Sequence, residues 1–205
     1  MRQTFTRIYE QREWAVSPHD PISGCGSTLT ATKPYRELLE ALIAERGIKT
    51  VLDLGCGDWT FSRHVDWGNV DYLGVDVVEP LIRKLSARFA KRNIAFVCAD
   101  IRDFTVRADL IIVKDVLQHW PLWECLRMLT LYFEESSAIL VTNTVEDSRH
   151  RVLKENTDCE PGGFRPIDML KEPFKSPAVE ELLRWKVWLE HGYNVKQTVL
   201  LRKSD

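Results

Sequence analysis

The stretch that most constrains the fold runs from residue 51 to residue 60, VLDLGCGDWT. An apolar run containing Asp53 ends in Gly55 and Gly57, with one residue between them. Glycine permits a tight turn and lets a ligand approach the main chain, so a strand followed by such a turn is typical of α/β domains that bind nucleotides. We therefore predict a first strand here that turns into a helix whose free N–H groups face a ligand.

The residues around the glycines distinguish between ligands. A dinucleotide fingerprint has its third glycine where this chain has Thr60, so that pattern is broken. The Asp53 carboxylate would repel a pyrophosphate but would suit a ligand that carries an ammonium or a sulfonium group. The charge pattern favours a cationic nucleoside, and a glycine turn without any ligand is the alternative for this segment taken alone.

Two later apolar runs also end in an acid. Residues 70–76 end at Asp76, and residues 93–100 end at Asp100. Asp76 follows the first glycine by about 20 residues, the separation at which an acid at the second strand's tip reaches ribose hydroxyls. The alternative for each acid is a cap or turn residue.

With these motifs, the chain resembles the class I S-adenosylmethionine-dependent methyltransferases. Asp53, Gly55 and Gly57 match the first motif of that family, and its usual third glycine falls on Trp59. The indole of Trp59 is predicted to pack beneath the turn or to narrow the acceptor entrance. The resemblance implies S-adenosyl-L-methionine as cofactor, with Asp100 and the next residue at the adenine. The cofactor-binding residues it implies are Asp53, Gly55, Gly57, Trp59, Asp76, Val77, Asp100, Ile101 and Lys114.

Residues 109–121 predict a central parallel strand, apolar on both faces, with a polar exit loop. In the resemblance this strand tip faces the methyl donor, so catalytic roles are expected for His119, Lys114 and Asp115. His119 has an intrinsic pKa near neutrality and is a candidate to take a proton from the acceptor, with a structural role as the alternative. Together with several other segments, this loop is similar to a set found in poorly characterised bacterial small-molecule methyltransferases.

Two further segments are candidates for the acceptor side. In the N-terminal arm, residues 1–31, the glycine-containing turn 23–27 is a candidate lid, and Tyr9 is expected at the same mouth. A polar insertion, residues 144–177, contains Arg165, whose planar guanidinium suits a carboxylate or a phosphate; pairing with Asp168 or another nearby acid is the alternative. The predicted substrate-binding residues are Tyr9, Gln118, His119 and Arg165. No metal site is predicted, since Asp115 and Asn143 offer too few oxygens for Mg²⁺.

The end of the chain alternates apolar and polar residues over 183–190 and 194–202, which predicts a β-hairpin. We therefore expect an α/β fold, a Rossmann-like sheet of seven mostly parallel strands with helices on both faces and a C-terminal antiparallel hairpin. At 205 residues the chain is long enough for one sizeable core, so a single methyltransferase domain over residues 1–205 is expected.

Composition limits the partners and the compartment. A formal net charge of −2 gives no global attraction to nucleic acid, so nucleic acid is disfavoured as a partner. The five cysteines are widely spaced and odd in number, which indicates reduced thiols in a cytoplasm. No signal peptide or membrane-spanning stretch is expected. The expected partner is a small-molecule acceptor, with the protein a monomer or a homodimer.

Three functions remain as hypotheses. The first is transfer of a methyl group from S-adenosylmethionine to an O or N atom of a small-molecule or sugar-like acceptor. The second is a nicotinamide-dependent oxidoreductase on a Rossmann-type sheet, which Asp53, the missing third glycine and the terminal hairpin oppose. The third is a nucleoside-binding protein without catalysis.

Overall fold

The computed structural model describes residues 1–203. The chain divides into two compact units, Met1–Phe104 and Thr105–Asp205. The helices and strands of the described residues are α1 (Arg2–Gln11), α2 (Lys33–Arg46), β1 (Thr50–Leu54), β2 (Asp71–Asp76), α3 (Glu79–Phe89), β3 (Ile94–Cys98), β4 (Ala108–Lys114), α4 (Leu122–Glu135), β5 (Ser136–Asp147), β6 (Val179–Leu189) and β7 (Gly192–Arg202).

The first unit is built on three parallel strands. Strand β2 lies between β1 and β3, with Val51 opposite Tyr72 and Tyr72 opposite Ile94. Four consecutive residues of β1, 51–54, are buried, as expected for a parallel strand covered on both faces. Helix α3 packs on β2 and β3 and buries apolar residues of one face. The carboxyl ends of the three strands therefore lie at one edge of this unit.

After the glycine turn, the sequence predicts a short helix over residues 61–65, and the structure has a helical turn within this range. The chain forms only a short 3₁₀ turn, Ser62–His64. Gly55 and Gly57 have φ values of 74° and 58°, and Trp59 has a φ of 57°. Because left-handed residues do not continue a right-handed helix, three of them within five positions keep the chain irregular here.

The second unit contains β4 to β7 in the order β4, β5, β7, β6. Strands β4 and β5 are parallel, whereas β7 is antiparallel to both β5 and β6. The cross-strand residues Val113, Val141 and Val199 are fully buried and form part of its core. Helix α4 packs on β5. The predicted terminal hairpin is confirmed.

The first four residues of the segment predicted as a polar insertion, 144–147, belong to strand β5. Strand β5 continues to Asp147, and residues 148–178 contain no helix or strand. Backbone hydrogen bonds hold this segment, among them Gly162 N to the His119 carbonyl at 2.8 Å and Ile167 N to the Thr144 carbonyl at 2.8 Å. Ile167, Met169 and Phe174 of the segment are buried. The single-domain assignment and the lid and acceptor roles of the arm and the insertion stay predictions.

The predicted fold class is confirmed: the described residues contain a seven-stranded, mostly parallel sheet with a C-terminal antiparallel hairpin. Within residues 1–203, no helix has the length and the apolar character needed to cross a membrane.

Candidate cofactor and acceptor sites

The glycine turn after β1 has its main-chain donors already bound. Gly55 N and Cys56 N donate to the Val75 carbonyl at 2.8 and 3.1 Å, and Gly57 N donates to Asp76 Oδ2 at 3.1 Å. These three N–H groups are therefore not free donors for a ligand. A pyrophosphate needs such donors, so this turn is not built for one.

Asp76 ends β2 beside the glycine turn. Its Oδ1 accepts a hydrogen bond from Val78 N at 3.1 Å, and its Oδ2 accepts the bond from Gly57 N. Burial raises the pKa of the Asp76 carboxyl, although the backbone N–H groups act against this shift. The bond to Val78 N supports the turn role considered for Asp76 but not a helix cap, because the N-cap residue of α3 is Val78 and has no side-chain cap hydrogen bond. A carboxylate has about four lone-pair sites, so these two bonds leave room for a ribose hydroxyl, and the ribose role stays a prediction.

Asp53 is buried in β1 and is held by a residue that the sequence analysis did not single out. The Tyr72 hydroxyl donates to Asp53 Oδ2 at 2.6 Å. Burial, followed by the charge of Asp53, raises the pKa of Tyr72 well above its usual range, so this hydroxyl stays protonated and donates. Tyr72 fixes the orientation of the carboxylate that was predicted to face a cationic ligand.

Trp59 packs beneath the turn, the first of its two predicted placements. Its side chain is 5% exposed, and its ring lies 5.8 Å from Tyr72, 5.1 Å from Phe89 and 5.1 Å from Phe96 between centroids. The indole therefore closes an aromatic cluster of the first unit. Its predicted contact with the cofactor stays a prediction.

The residues predicted for the adenine lie just beyond β3. Asp100 accepts hydrogen bonds from Arg102 Nε at 2.9 Å and Nη2 at 2.6 Å. These bonds lower the pKa of Asp100 despite its partial burial, so it remains a carboxylate. Ile101 is buried, and the Val77 carbonyl accepts a hydrogen bond from the Cys98 thiol. The adenine roles of Asp100 and Ile101 stay predictions.

In the second unit, Asp115 follows β4 and lies between two buried lysines. Lys114 Nζ and Lys196 Nζ each lie 2.6 Å from an Asp115 oxygen, and their side chains are 4% and 3% exposed. Lys196 Nζ also donates to Thr144 Oγ1 at 2.9 Å. Burial alone would raise the pKa of Asp115, but the two ammonium groups lower it strongly. Asp115 is therefore the counter-ion of both lysines, and the catalytic roles predicted for Asp115 and Lys114 and the cofactor contact predicted for Lys114 stay predictions.

Lys196 and Thr144 were not identified from the sequence. The one feature of the sequence that could have indicated Lys196 is its charge within the otherwise mostly apolar strand β7. Lys196 pairs with Thr144 across β5 and β7, and this pairing gives the lysine its site. Reading that pairing from the sequence requires the register between the two strands.

His119 lies in the short 3₁₀ turn Leu117–His119 and is bound through both ring nitrogens. Its Nδ1 lies 2.7 Å from the Gly163 carbonyl, which can only accept, so Nδ1 carries the hydrogen. Its Nε2 lies 3.2 Å from Gln118 Nε2, while Gln118 Oε1 accepts a hydrogen bond from Thr144 N at 3.0 Å. Gln118 thus donates to the lone pair that a general base would use.

Burial, above all, lowers the pKa of His119 to about 4. A neutral imidazole with this pKa is a weak base at neutral pH. The structural role considered for His119 has direct geometric support, and its catalytic role remains a prediction without such support.

We expect His119 to make the stability pH-dependent in a defined window. As the pH falls from 6.5, the usual pKa, toward about 4, the unfolded chain binds a proton that the folded protein does not. Folding stability should therefore drop by up to about 3 kcal/mol across that window. Urea unfolding at pH 7.5 and pH 4.5 measures this, and His119→Gln should lose less stability between the two pH values than the parent.

The matched control is His191→Gln, because the His191 side chain is 80% exposed. This variant should retain the parent's pH dependence. Equal pH dependence in all three proteins would contradict a buried, neutral His119.

Arg165 does not lie where a substrate anion would meet it. The residue is 1% exposed, and its Nη1 donates to the Leu117 carbonyl at 2.7 Å. Its other contacts are the sulfur atoms of Cys159 and Cys125, at 3.1 and 3.5 Å. The alternative pairing with Asp168 is not among these bonds, and Arg165 holds the loop after β4 through the Leu117 carbonyl. Its predicted substrate contact stays a prediction.

The absence of a metal site stays a prediction. Among the residues of the described part of the chain, no group of three or more His, Cys, Asp or Glu side chains has an arrangement suited to a metal ion.

Part of the chain that contains these residues is similar to a known protein family. Residues 51–134 match a protein family described as a methyltransferase domain. The matched segment begins in the strand that contains Asp53. It includes Asp76 at the end of β2, Asp100 after β3 and the loop after β4. Together with the fold, this match confirms the predicted resemblance to the class I S-adenosylmethionine-dependent methyltransferases. No curated protein matches the sequence.

Solved structures of methyltransferases share the fold at low sequence identity. The N-methyltransferase NodS from Bradyrhizobium japonicum WM9, with bound S-adenosyl-L-homocysteine, is 15% identical with a TM-score of 0.69, covering 97% of this chain and 99% of NodS. Magnesium protoporphyrin IX methyltransferase from Synechocystis PCC 6803 is 15% identical with a TM-score of 0.67, covering 98% and 97%. The 1,6-didemethyltoxoflavin-N1-methyltransferase from Burkholderia thailandensis is 16% identical with a TM-score of 0.69, covering 100% and 87%.

Proposed function

We propose that this protein transfers a methyl group from S-adenosylmethionine to an oxygen or nitrogen atom of a small-molecule or sugar-like acceptor. The observation that carries the proposal is the junction of β1 and β2, where the Asp76 carboxylate holds the Gly57 main chain at 3.1 Å. An acid is thereby fixed beside a glycine turn at the carboxyl ends of parallel strands, where such sheets bind ligands.

The residues of this junction suit a nucleoside donor with a positive charge. Asp53 and Asp76 are both buried carboxylates, at 4% and 8% exposure. The N–H groups of Gly55, Cys56 and Gly57 in the nearby turn donate within the protein. They therefore offer no anion site beside the two carboxylates, whose negative charge suits a cationic ligand. When bound, S-adenosylmethionine supplies a methyl group on a positively charged sulfur. All three solved structures hold S-adenosylhomocysteine, the product form of the donor, which supports the same class of donor for this protein.

The acceptor class rests on the same comparisons. The acceptors named for these solved structures, a magnesium porphyrin and a toxoflavin precursor, are small molecules. In the second unit, the polar loop after β4 is rigidly bound, with His119 neutral and Asp115 paired to two lysines. We infer that these residues shape and exclude water from an acceptor site rather than remove its proton, since orientation and desolvation supply most of the rate in such a displacement.

A nicotinamide-dependent oxidoreductase is the weaker alternative. It needs a pyrophosphate at the glycine turn, and the Gly55, Cys56 and Gly57 N–H groups are already bound within the protein. An increase in NADH fluorescence on adding the protein would support this alternative. A nucleoside-binding protein without catalysis predicts cofactor binding with no S-adenosylhomocysteine produced from any small-molecule extract.

Binding of S-adenosylmethionine is the first measurement. Titration calorimetry should show binding by the parent and a loss of about tenfold or more in affinity for Asp76→Ala, because a hydrogen bond to a charged group contributes about 1.5–3 kcal/mol. Asp53→Ala should weaken binding in the same direction. The same experiment with S-adenosylhomocysteine tests the product state.

The matched control is Asp71→Ala, which removes an exposed acid from the start of β2. Its affinity should equal that of the parent. A folded parent that binds neither S-adenosylmethionine nor S-adenosylhomocysteine would refute the proposed function.

A further inference from the structure

The N-terminal arm lies directly on the glycine turn of the first unit. A Cβ atom added to Gly57 would lie 2.9 Å from the Tyr9 hydroxyl oxygen and 3.6 Å from the Ser23 Cβ. The space that the glycine leaves open is therefore filled by two residues of the arm. In this arrangement the arm itself, and not only a ligand, requires glycine at position 57.

One carboxylate fixes the arm to the turn. Asp58 Oδ1 accepts a hydrogen bond from Ser23 Oγ at 2.9 Å, and Asp58 Oδ2 accepts one from Ser23 N at 3.1 Å. Asp58 Oδ1 also accepts a hydrogen bond from Thr60 N at 3.1 Å, which holds the carboxylate within its own loop. These bonds join two segments that are 35 residues apart in sequence.

The arm is packed so that Ser23 and Tyr9 are coupled. The Trp14 ring makes edge contacts with Tyr9 and Phe5, at centroid distances of 5.7 and 6.1 Å. Gly24, with a φ of 94°, has its Cβ position 3.3 Å from the Trp14 carbonyl oxygen. Trp14 thus connects helix α1, which contains Tyr9, to the turn that contains Ser23.

We propose that Asp58 is a positioning residue for the donor: by binding Ser23 it holds the arm closed, with the Tyr9 hydroxyl over Gly57 as a direct contact of the donor. This inference rests on the donor site proposed above. Tyr9, which was predicted from the sequence to bind the acceptor, is thereby proposed to bind the donor instead. Asp58 was not identified from the sequence.

The chemistry of the Tyr9 hydroxyl fits such a contact. Burial, and then the charges of Asp76 and Asp58, raise its pKa well above the usual range. It therefore remains a neutral hydroxyl that can donate to a carboxylate or accept from an ammonium group, the two charged groups of an aminoacyl chain. A donor held at the turn then leaves only when the Ser23 bonds to Asp58 break.

The rate of S-adenosylhomocysteine dissociation tests the inference. In stopped-flow measurements, S-adenosylhomocysteine should dissociate about tenfold faster from Asp58→Asn than from the parent. The substitution removes the negative charge of the group that accepts the two Ser23 hydrogen bonds. Tyr9→Phe should weaken binding without opening the arm. Limited trypsin cleavage at Arg12 gives a second readout, because the ligand should protect the parent but not Asp58→Asn.

Controls separate the possible failures. Asp71→Asn should dissociate the ligand at the parent's rate, and Ser23→Ala, which loses only the hydroxyl bond, should give a smaller effect in the same direction if Asp58→Asn does not fold. Ligand binding by the parent with unchanged dissociation in Asp58→Asn and Ser23→Ala would overturn the role of Asp58 alone. Absence of ligand binding by the folded parent would overturn the donor site and this inference together.

Discussion

Replacing Trp59 with glycine should lower the free energy of unfolding by about 3 kcal/mol, although the class I methyltransferases that the chain resembles usually have glycine at this position. The side chain is 5% exposed and contacts Tyr72, Phe89 and Phe96. Truncating a buried Trp typically costs about 3–5 kcal/mol through lost burial and the cavity that remains. Relief of the left-handed backbone, at a φ of 57°, returns about 1 kcal/mol of this cost.

Urea unfolding measures this effect, with Trp123→Gly as the control. Trp123 is 60% exposed and lies in helix α4, so its replacement should cost only about 1 kcal/mol through helix propensity. The ratio of the two losses reports burial, because both variants remove an indole and add a glycine. An unchanged stability in Trp59→Gly would contradict the placement of the indole beneath the turn.

Features encoded within a few neighbouring residues could be predicted from the sequence. The acids that close the apolar runs of β2 and β3, Asp76 and Asp100, are local signals, because a strand tip is recognisable from a single segment. The terminal hairpin follows from the alternation of apolar and polar residues over much of 183–190 and 194–202. These local patterns were sufficient for the fold class and for the donor class.

The partners of the site residues could not be predicted in this way. Tyr72 and Asp53 are 19 residues apart, and Lys196 and Asp115 are 81 residues apart. Each pair forms only after strands have paired in one register, and register is not written in either segment alone. The missed residues are therefore those whose roles depend on a distant strand.

Residue type was misleading where burial changed the chemistry. An arginine beside two glycines suggests an exposed fork, yet Arg165 lies in the interior and donates to a carbonyl. A histidine in a polar loop suggests a base, yet burial lowers the pKa of His119, and both of its ring nitrogens have hydrogen-bond partners. In both cases the burial could not be predicted, since sequence gives the side chain but not its solvent exposure, and both functional roles stay predictions.

The cluster of Lys114, Asp115 and Lys196 yields the second large expected effect. Asp115→Asn should lower the free energy of unfolding by about 3–5 kcal/mol, because it leaves two buried ammonium groups without the carboxylate between them. Asparagine tolerates a positive φ, such as the 59° of Asp115, so backbone strain adds little to the loss. Urea unfolding at pH 7.5 measures the effect.

Lys196→Met provides the comparison that identifies the cause. This variant keeps the pair of Lys114 with Asp115 but loses the pair of Lys196 with Asp115 and the bond to Thr144, so its cost should be about 1.5–3 kcal/mol, less than that of Asp115→Asn. In the Lys196→Met background, Asp115→Asn should cost clearly less than in the parent, because one buried charge has been removed. Additive losses would show that Asp115 stabilises the protein by some means other than its charge, and would contradict the counter-ion role given to it here.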